Sequence, residues 1–238
     1  MIAPAPSALA GQALVAIWHD IAPEGLADFY DWHNREHMPE RLAIPGFHRG
    51  RRYLRVAGDG QEFFNLYEVA TFDVLVGPDY LARLNAPTPW TRRVVPHFRN
   101  VTRGLCRVVG SAGIGQGGMV TTLRFGTAPE GAVTLRAYLL DAAFPALLAQ
   151  PGVLAMHLAC TDAAGSSLPT AEKQARNNPT DIPSWVLLVE GISVEHLRRA
   201  VSGPLAGTTL IRHGAAAEPL AGTYQLEATR LPTAASAG

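Results

Sequence analysis

Hydrophobic and polar positions along the chain predict the same order of elements twice. Alternating or continuous apolar runs typical of strands occupy residues 13–19, 47–56, 62–71 and 101–109 of the first half, and residues 119–125, 153–161, 184–192 and 221–230 of the second. Helical patterns occupy residues 23–45, 72–85, 130–150 and 194–202. Each half is therefore predicted to be strand, helix, strand, strand, helix, strand, the order of a ferredoxin-like unit.

The two halves also share sequence. Residues 38–47 align with residues 144–153 at a constant offset of 106, and two prolines, a leucine, an alanine and a glycine coincide. Residues 66–69 align with residues 188–191 at an offset of 122. The difference between the two offsets indicates an insertion near residues 162–183, and its polar, small-residue composition predicts high mobility or a lid role.

These patterns predict an α+β chain made of two tandem ferredoxin-like (βαββαβ) repeats. The first repeat, residues 1–112, is predicted to carry the active site, and residues 113–118 form a glycine-rich linker. A second, degenerate repeat follows over residues 119–231, and residues 232–238 are predicted to be a flexible tail.

One helical segment carries a more specific motif. The sequence WHNREHMP at residues 32–39, followed by IPG at 44–46, resembles the helix signature of the EthD-like branch of the dimeric α+β barrel superfamily. The resemblance implies that two ferredoxin-like sheets pack their open faces together as a barrel, here within one chain. Members of the superfamily include cofactor-free oxygenases, isomerases, lyases, haem enzymes and proteins with no known reaction. The resemblance therefore implies a cavity more clearly than it implies a reaction.

The overall composition excludes several classes of function. The chain has 20 basic and 20 acidic residues, so no net charge favours nucleic acid as a partner. No apolar run approaches the roughly 18–20 residues of a membrane helix, and the first 17 residues lack the basic start of a signal peptide. Cys106 and Cys160 are too few for a disulfide framework. We expect a cytoplasmic protein that acts on a small molecule, with no membrane or nucleic-acid partner and with a homodimer left open.

The second half serves as a control for the first. Its first helix presents an apolar stripe with the spacing of a core-facing helix: Leu135, Tyr138, Leu139, Ala142 and Ala143. The counterparts of these residues in the first half are Phe29, Trp32, His33, Glu36 and His37. Buried ionisable groups cost several kcal/mol unless they are paired or hydrogen-bonded. Two histidines and a glutamate on this face therefore indicate either a functional site or a structural polar network, unless the face is turned toward solvent.

The functional interpretation assigns a role to each group. His33 or His37 would act as a general base oriented by Glu36, and His19 or an arginine would assist the developing anion. Candidate substrate-binding residues are the aromatic and basic side chains predicted to share the cavity: Trp18, Phe29, Trp32, Arg49, Arg51, Tyr53 and Trp90. For Arg49 and Arg51, an outer-rim position with acidic partners is the alternative.

Two motifs suggest cofactors but lack the required context. Residues 33–37 fit H-x-x-E-H, a zinc pattern, yet the best third ligand, Glu68, has a counterpart in Glu190 and is better explained as structural. Residues 113–118 fit G-x-G-x-x-G, but a strand follows where a helix is required. We therefore predict no metal and no organic cofactor.

The resulting functional prediction is a small-molecule enzyme that uses histidine and glutamate acid–base chemistry in a barrel cavity. Proton removal beside a carbonyl suits a lyase or isomerase of the dehydratase kind, acting on an aromatic, phenolic or carbonyl-containing substrate. A cofactor-free oxygenase is one alternative, because an ionised aromatic substrate can itself react with oxygen. A ligand-binding or accessory protein without turnover is the other.

Overall fold

The computed structural model describes residues 7–232, and the first half follows the predicted order of elements. Its strands are β1 (Ala13–Ile21), β2 (Phe47–Gly58), β3 (Phe63–Val69) and β4 (Phe98–Gly113). Its helices are α1 (Leu26–Trp32), α2 (Met38–Leu42), α3 (Phe72–Val76), α4 (Pro78–Asn85) and α5 (Pro89–Val94). A single π-helical turn, His33–His37, joins α1 to α2.

The second half repeats this order with additions. Its strands are β5 (Met119–Phe125), β6 (Val153–Thr161), β7 (Thr180–Asp181), β8 (Trp185–Gly191) and β9 (Leu220–Arg230). Its helices are α6 (Gly131–Ala137), α7 (Phe144–Leu148), α8 (Ala163–Ser167), α9 (Ala171–Arg176), α10 (Val194–Val201) and α11 (Gly207–Arg212). A π-helical turn, Tyr138–Ala143, joins α6 to α7.

Eight of the strands close into an antiparallel barrel. The order is β1-β3-β2-β9-β5-β8-β6-β4, and β4 pairs back with β1 to complete the ring. Each half contributes four strands, and the halves are joined by the β2–β9 and β4–β6 pairs. The short strand β7 adds to β4 in parallel, outside the ring. The predicted α+β class and barrel architecture are confirmed.

The two faces of each strand serve different layers. In β1, Leu14, Ala16 and Trp18 belong to the barrel interior, which is filled by apolar and aromatic side chains. Ala13 and Val15, which alternate with them, pack against the helices outside the barrel. Helices cover the outer face of the strands of each half, and the insertion helices α8 and α9 of the second half pack on the first half. The molecule therefore has an inner core and outer cores on both sides of the barrel.

The interruption of the first helix occurs at the same place in both halves. Pro39 and Pro145 each occupy the first turn of the helix that follows the π-helical turn. A proline in a continuous helix removes a hydrogen bond and its ring crowds the carbonyl four residues earlier, and a wider turn relieves that conflict. The shared interruption supports the alignment of His33 with Leu139 and of His37 with Ala143.

Several boundaries differ from the prediction. Gly77 and Pro78 divide the helix predicted over residues 72–85 into α3 and α4. The last strand of the first half extends to Gly113, so the predicted linker begins inside β4. The insertion at residues 162–183 contains α8, α9 and β7, which its composition does not predict. The predicted flexible tail lies outside the described residues from residue 233 onward.

The helical stretch 131–148 qualifies as a membrane span by length and composition alone, with a hydropathy of 1.3 over 18 residues. In the fold it is an amphipathic surface helix, because Leu135, Leu139 and Leu147 are buried against the second half of the sheet.

Candidate active site

Three histidines predicted from the sequence lie between the outer face of the sheet and the helices of the first half. His19 comes from β1, and His33 and His37 come from the π-helical turn. All three side chains are buried, with relative exposures of 0%, 2% and 7%. The rings of His33 and His37 are stacked, with centroids 5.7 Å apart. The cluster lies outside the barrel, and the predicted position in a barrel cavity is corrected accordingly.

His33 is held by hydrogen bonds at both ring nitrogens. The Arg52 guanidinium lies 3.1 Å from Nδ1, and the Tyr67 hydroxyl lies 3.4 Å from Nε2. Because an arginine in a protein only donates, Nδ1 accepts this bond and the proton of the neutral ring is on Nε2. Nε2–H is then directed at the Tyr67 oxygen, which leaves the Tyr67 O–H free to donate elsewhere.

His37 is the less constrained of the pair. Its ring packs on Trp32 with the centroids 4.2 Å apart, and its buried Nδ1 has no hydrogen-bond partner among the described residues. Buried polar atoms in native proteins nearly always have a partner, so an orphan of this kind marks a position for a ligand or water. His37 also lines the cavity described below.

Burial keeps all three histidines uncharged. Desolvation lowers the pKa of His33 and of His37 well below the usual 6.5, and the nearby charges of Arg52 and Arg41 lower them further. Burial likewise lowers the pKa of His19 to about 3. At neutral pH each ring is therefore in the form that accepts a proton.

His19 reaches the site only through a neighbour. Its ring is enclosed by Phe29, Phe63 and Phe98, and its Nε2 lies 2.8 Å from the Asn65 side-chain nitrogen. Asn65, and not His19, lines the cavity, and its Oδ1 has no partner among the described residues. His19 therefore contacts the cavity only through Asn65, whereas the sequence predicted direct assistance to an anion.

The cavity itself lies between β1, β3, the helical turn and the insertion. Its open volume is about 40 Å³, which is enough for a few water molecules. Its aromatic walls are Trp32, Phe47, Tyr67, Tyr80 and Phe98, and its polar and charged walls are His33, His37, Arg41, Asn65, Arg103, Glu172 and Arg176. A substrate ring therefore needs one wall to move, and the insertion is the wall that the sequence predicts to be mobile.

Glu36 does not orient either histidine. Its carboxylate accepts hydrogen bonds from the hydroxyls of Thr88, at 2.5 Å, and Thr91, at 3.3 Å. Thr88 caps the N-terminus of α5. Glu36 therefore links the histidine helix to α5, and its predicted hydrogen bond to His33 or His37 is not formed.

Other predicted binding residues lie away from the histidines. Trp18, Tyr53 and Arg51 are inside the barrel, and Arg49 forms an ion pair there, so none of the four shares a pocket with the histidines. Trp90 lies on α5 and donates to Asp28. Of the predicted binding residues, Trp32 lines the cavity, and Phe29 packs against His19 and His33.

A β-bulge explains the misplaced arginines. Strict alternation along β2 puts Arg49 and Arg51 on the face of Phe47, but the register shifts between Phe47 and Arg49. The extra residue reverses the faces, so Phe47 lines the histidine cavity while Arg51 points into the barrel. The same shift brings Arg52, which the sequence did not single out, to His33.

Arg49 and Arg51 find carboxylates inside the barrel. Glu68 pairs with both arginines, and Arg51 also donates to Glu190 at 2.8 Å. The predicted acidic partners are present, but in the interior and not on an outer rim. Glu68 faces away from His33 and His37 across the sheet, so it cannot complete a metal site with them. No group of three potential metal ligands occurs among residues 7–232.

Several residues of the cavity were not predicted from the sequence. Asn65 and Tyr67 follow the alternation of β3, in which Phe63, Asn65 and Tyr67 face the helices, so the signal was present in the strand pattern. Glu172 and Arg176 come from the insertion of the second half. Nothing in the periodicity places an insertion against a helix of the other half.

Comparisons with known proteins establish the fold. No protein-family model and no curated protein matches the chain. The crystal structure of an anthrone oxidase-like protein matches with a TM-score of 0.63 at 15% identity, over 98% of both chains. A provisionally named monooxygenase from Lactobacillus acidophilus matches with a TM-score of 0.57 at 11% identity, over 93% of this chain and 97% of its own. A haem-binding protein from Thermus thermophilus matches with a TM-score of 0.51 at 9% identity, over 92% of both chains. The chain has the dimeric α+β barrel fold, and its assignment to the EthD-like branch stays a prediction.

His33 does not fit a haem ligand. An iron-ligating histidine uses one bare nitrogen and donates its other N–H to an acceptor. In His33, Nδ1 accepts from Arg52 and the proton is on Nε2, so neither nitrogen is free to bind a metal.

Proposed function

We propose that the protein is a small-molecule enzyme in which His37 removes a proton from an acidic carbon or hydroxyl of the substrate. The observation that carries the proposal is a buried, uncharged imidazole with an unpartnered nitrogen in an aromatic-walled cavity. A neutral imidazole is the form a general base requires.

The neighbouring groups suit the anion that proton removal creates. Tyr67 lines the cavity, and burial raises the pKa of its hydroxyl, so it stays a donor. The Nε2–H of His33 donates to the Tyr67 oxygen, so the Tyr67 O–H is free to donate to the oxygen of an enolate or phenolate. A positioned donor in a desolvated site is worth several kcal/mol to a developing oxyanion. In this scheme His37 is the base, Tyr67 the oxyanion donor and His33 the positioning residue.

The lowered basicity of His37 limits the substrate. Its protonated form is destabilised by burial and by Arg41, so proton transfer is favourable only when the substrate anion stays beside it. Phenols, anthrone-type ketones and β-dicarbonyl compounds have protons acidic enough for such a base. Unactivated carbon acids do not.

Two continuations of the reaction follow from the same anion. It can lose a leaving group or relocate a double bond, which is the lyase or isomerase chemistry predicted from the sequence. It can also react with oxygen, converting a methylene group and O2 into a carbonyl and water. The names of the anthrone oxidase-like and monooxygenase neighbours support the second continuation.

A panel of anthrone, 1-naphthol and 1,3-cyclohexanedione, hereafter the test panel, tests the proposal. Oxygen uptake and product masses are recorded for the wild type, for His37→Ala and for His48→Ala, whose exposed histidine is the matched control. We expect turnover of at least one compound by the wild type and the control, reduced at least a hundredfold in His37→Ala. Thermal stabilisation by a compound without any turnover would instead indicate a ligand-binding protein.

A further inference from the structure

We infer that the substrate carries a carboxylate, and that Arg103 and Arg176 bind it in the cavity that holds His37. The inference deepens the proposed function, because it names the substrate class for the same site. It rests on the charges that line the cavity and on their missing partners.

The cavity walls carry more positive than negative charge. Arg41, Arg103 and Arg176 line it, and Glu172 is the single carboxylate among its lining residues. Glu172 is already engaged, because it forms a close ion pair with Arg41. Neither Arg103 nor Arg176 has a carboxylate within 4.0 Å anywhere in residues 7–232.

Among the three arginines, Arg176 gives the strongest evidence for an anion site. Its exposure is only 9%, its Nη2 donates to the Thr180 hydroxyl at 2.9 Å, and its Nε has no hydrogen-bond partner among the described residues. Burial, with Arg103 as the next cause, lowers the pKa of Arg176 to about 10. A buried guanidinium without a counterion is costly, and a bound anion removes that cost.

Arg103 supplies the second guanidinium of the proposed anion site. It lies on β4, and its Nη2 donates to the Tyr80 hydroxyl at 2.9 Å, which leaves its other N–H groups available. A planar guanidinium presents parallel N–H donors that match the two oxygens of a carboxylate. Two such groups in one wall fit a carboxylate better than they fit a neutral carbonyl.

A recess beside the cavity also carries more positive than negative charge. The recess has a volume of about 20 Å³, shares Arg103, Glu172 and Arg176 with the cavity and is also lined by Lys173. Lys173 is the only lysine of the chain. Clustered positive charge raises the local concentration of anions. The insertion therefore supplies one arginine of the proposed anion site and the lysine beside it.

The test compares two ligands that differ in charge but share a ring and a hydroxyl. The ligands are salicylate and salicylamide, and their dissociation constants are measured by calorimetry on the wild type, Arg176→Gln, Arg176→Lys and Arg92→Gln. We expect the wild type to bind salicylate at least tenfold more tightly than salicylamide, which corresponds to about 1.4 kcal/mol. Arg176→Gln should abolish this preference, Arg176→Lys should retain part of it, and the control Arg92→Gln should retain all of it.

Several outcomes would overturn the inference. They are equal affinity of the wild type for the two ligands, no binding of either at millimolar concentration, or an unchanged preference in Arg176→Gln. Arg103→Gln, at a partly exposed position, replaces Arg176→Gln if that variant does not fold. The assay measures binding alone. A wild type that prefers salicylate but turns over neither the test panel nor acetopyruvate, a β-dicarbonyl compound with a carboxylate, would therefore support the anion site while refuting the proposed reaction.

Discussion

Replacing the two site histidines by their counterparts from the second half should separate activity from stability. The double variant His33→Leu/His37→Ala installs the residues that the same helical turn carries as Leu139 and Ala143, which are fully buried there. Glu36 is left in place because it holds Thr88 and Thr91 on α5.

The expected free-energy change is small because its contributions oppose one another. Removing His37 removes a buried Nδ1 without a partner, a group that costs about 1–3 kcal/mol. Removing His33 takes one hydrogen bond each from Arg52 and Tyr67, about 1 kcal/mol apiece, but Arg52 keeps Glu227 and Asn34. The smaller side chain at position 37 enlarges a cavity that water can enter. We therefore expect stability within about 2 kcal/mol of the wild type.

Urea denaturation and turnover of the test panel measure the two effects separately. The account predicts a folded double variant with an unchanged m-value and without activity. A loss of about 3–5 kcal/mol, with activity per folded molecule retained, would refute it, since that pattern belongs to histidines that only hold the helix on the sheet.

Three further predictions concern the groups around the site. Arg51→Met should lower the free energy of unfolding by about 3–5 kcal/mol, because Glu68 and Glu190 stay buried without the arginine charge that pairs with them. A loss below about 1 kcal/mol in urea melts would show the ion pairs to be dispensable. The free energy of unfolding should fall as the pH drops below 6.5, by up to about 1.4 kcal/mol per pH unit for each of the three site histidines and for His157. The reason is that the unfolded chain then binds protons that the buried neutral rings do not bind. Equal stability at pH 7.5 and 5.5 would contradict this. Glu36→Ala should cost about 1 kcal/mol and keep turnover, and a loss of activity as large as that of His37→Ala would restore its predicted catalytic role.

The strand order and the histidine helix could be predicted because both depend on periodicity. Residues 13–18 form a continuous apolar run typical of a buried strand, and the offset of 106 aligns a polar helical face with an apolar one. The comparison between halves singled out His33 and His37, and the structure places both in the wall of the cavity. It worked because both helices pack on equivalent sheets and share the interruption before Pro39 and Pro145.

The wrong predictions concern features that the periodicity of the sequence cannot predict, namely a β-bulge and contacts between distant segments. A single extra residue after Phe47 reverses the faces of β2, so Arg52 and not Arg51 reaches the histidines. Glu36 lies on the predicted face, yet its carboxylate accepts hydrogen bonds from two threonine hydroxyls at the start of α5, a contact between distant parts of the chain. The insertion contributes Arg176 through a contact between distant parts of the chain, which a local pattern cannot specify.

The most direct test of the account is hydrogen exchange into the substrate without oxygen. The test panel is incubated anaerobically in D2O, and loss of the acidic C–H signals of anthrone and 1,3-cyclohexanedione is followed by NMR with the wild type, His37→Ala and His48→Ala. Exchange reports proton removal alone, whichever reaction follows it. We expect exchange above the buffer rate for the wild type and His48→Ala, and exchange at the buffer rate for His37→Ala. Equal exchange by wild type and His37→Ala, or no exchange of a compound that the wild type binds, would contradict it.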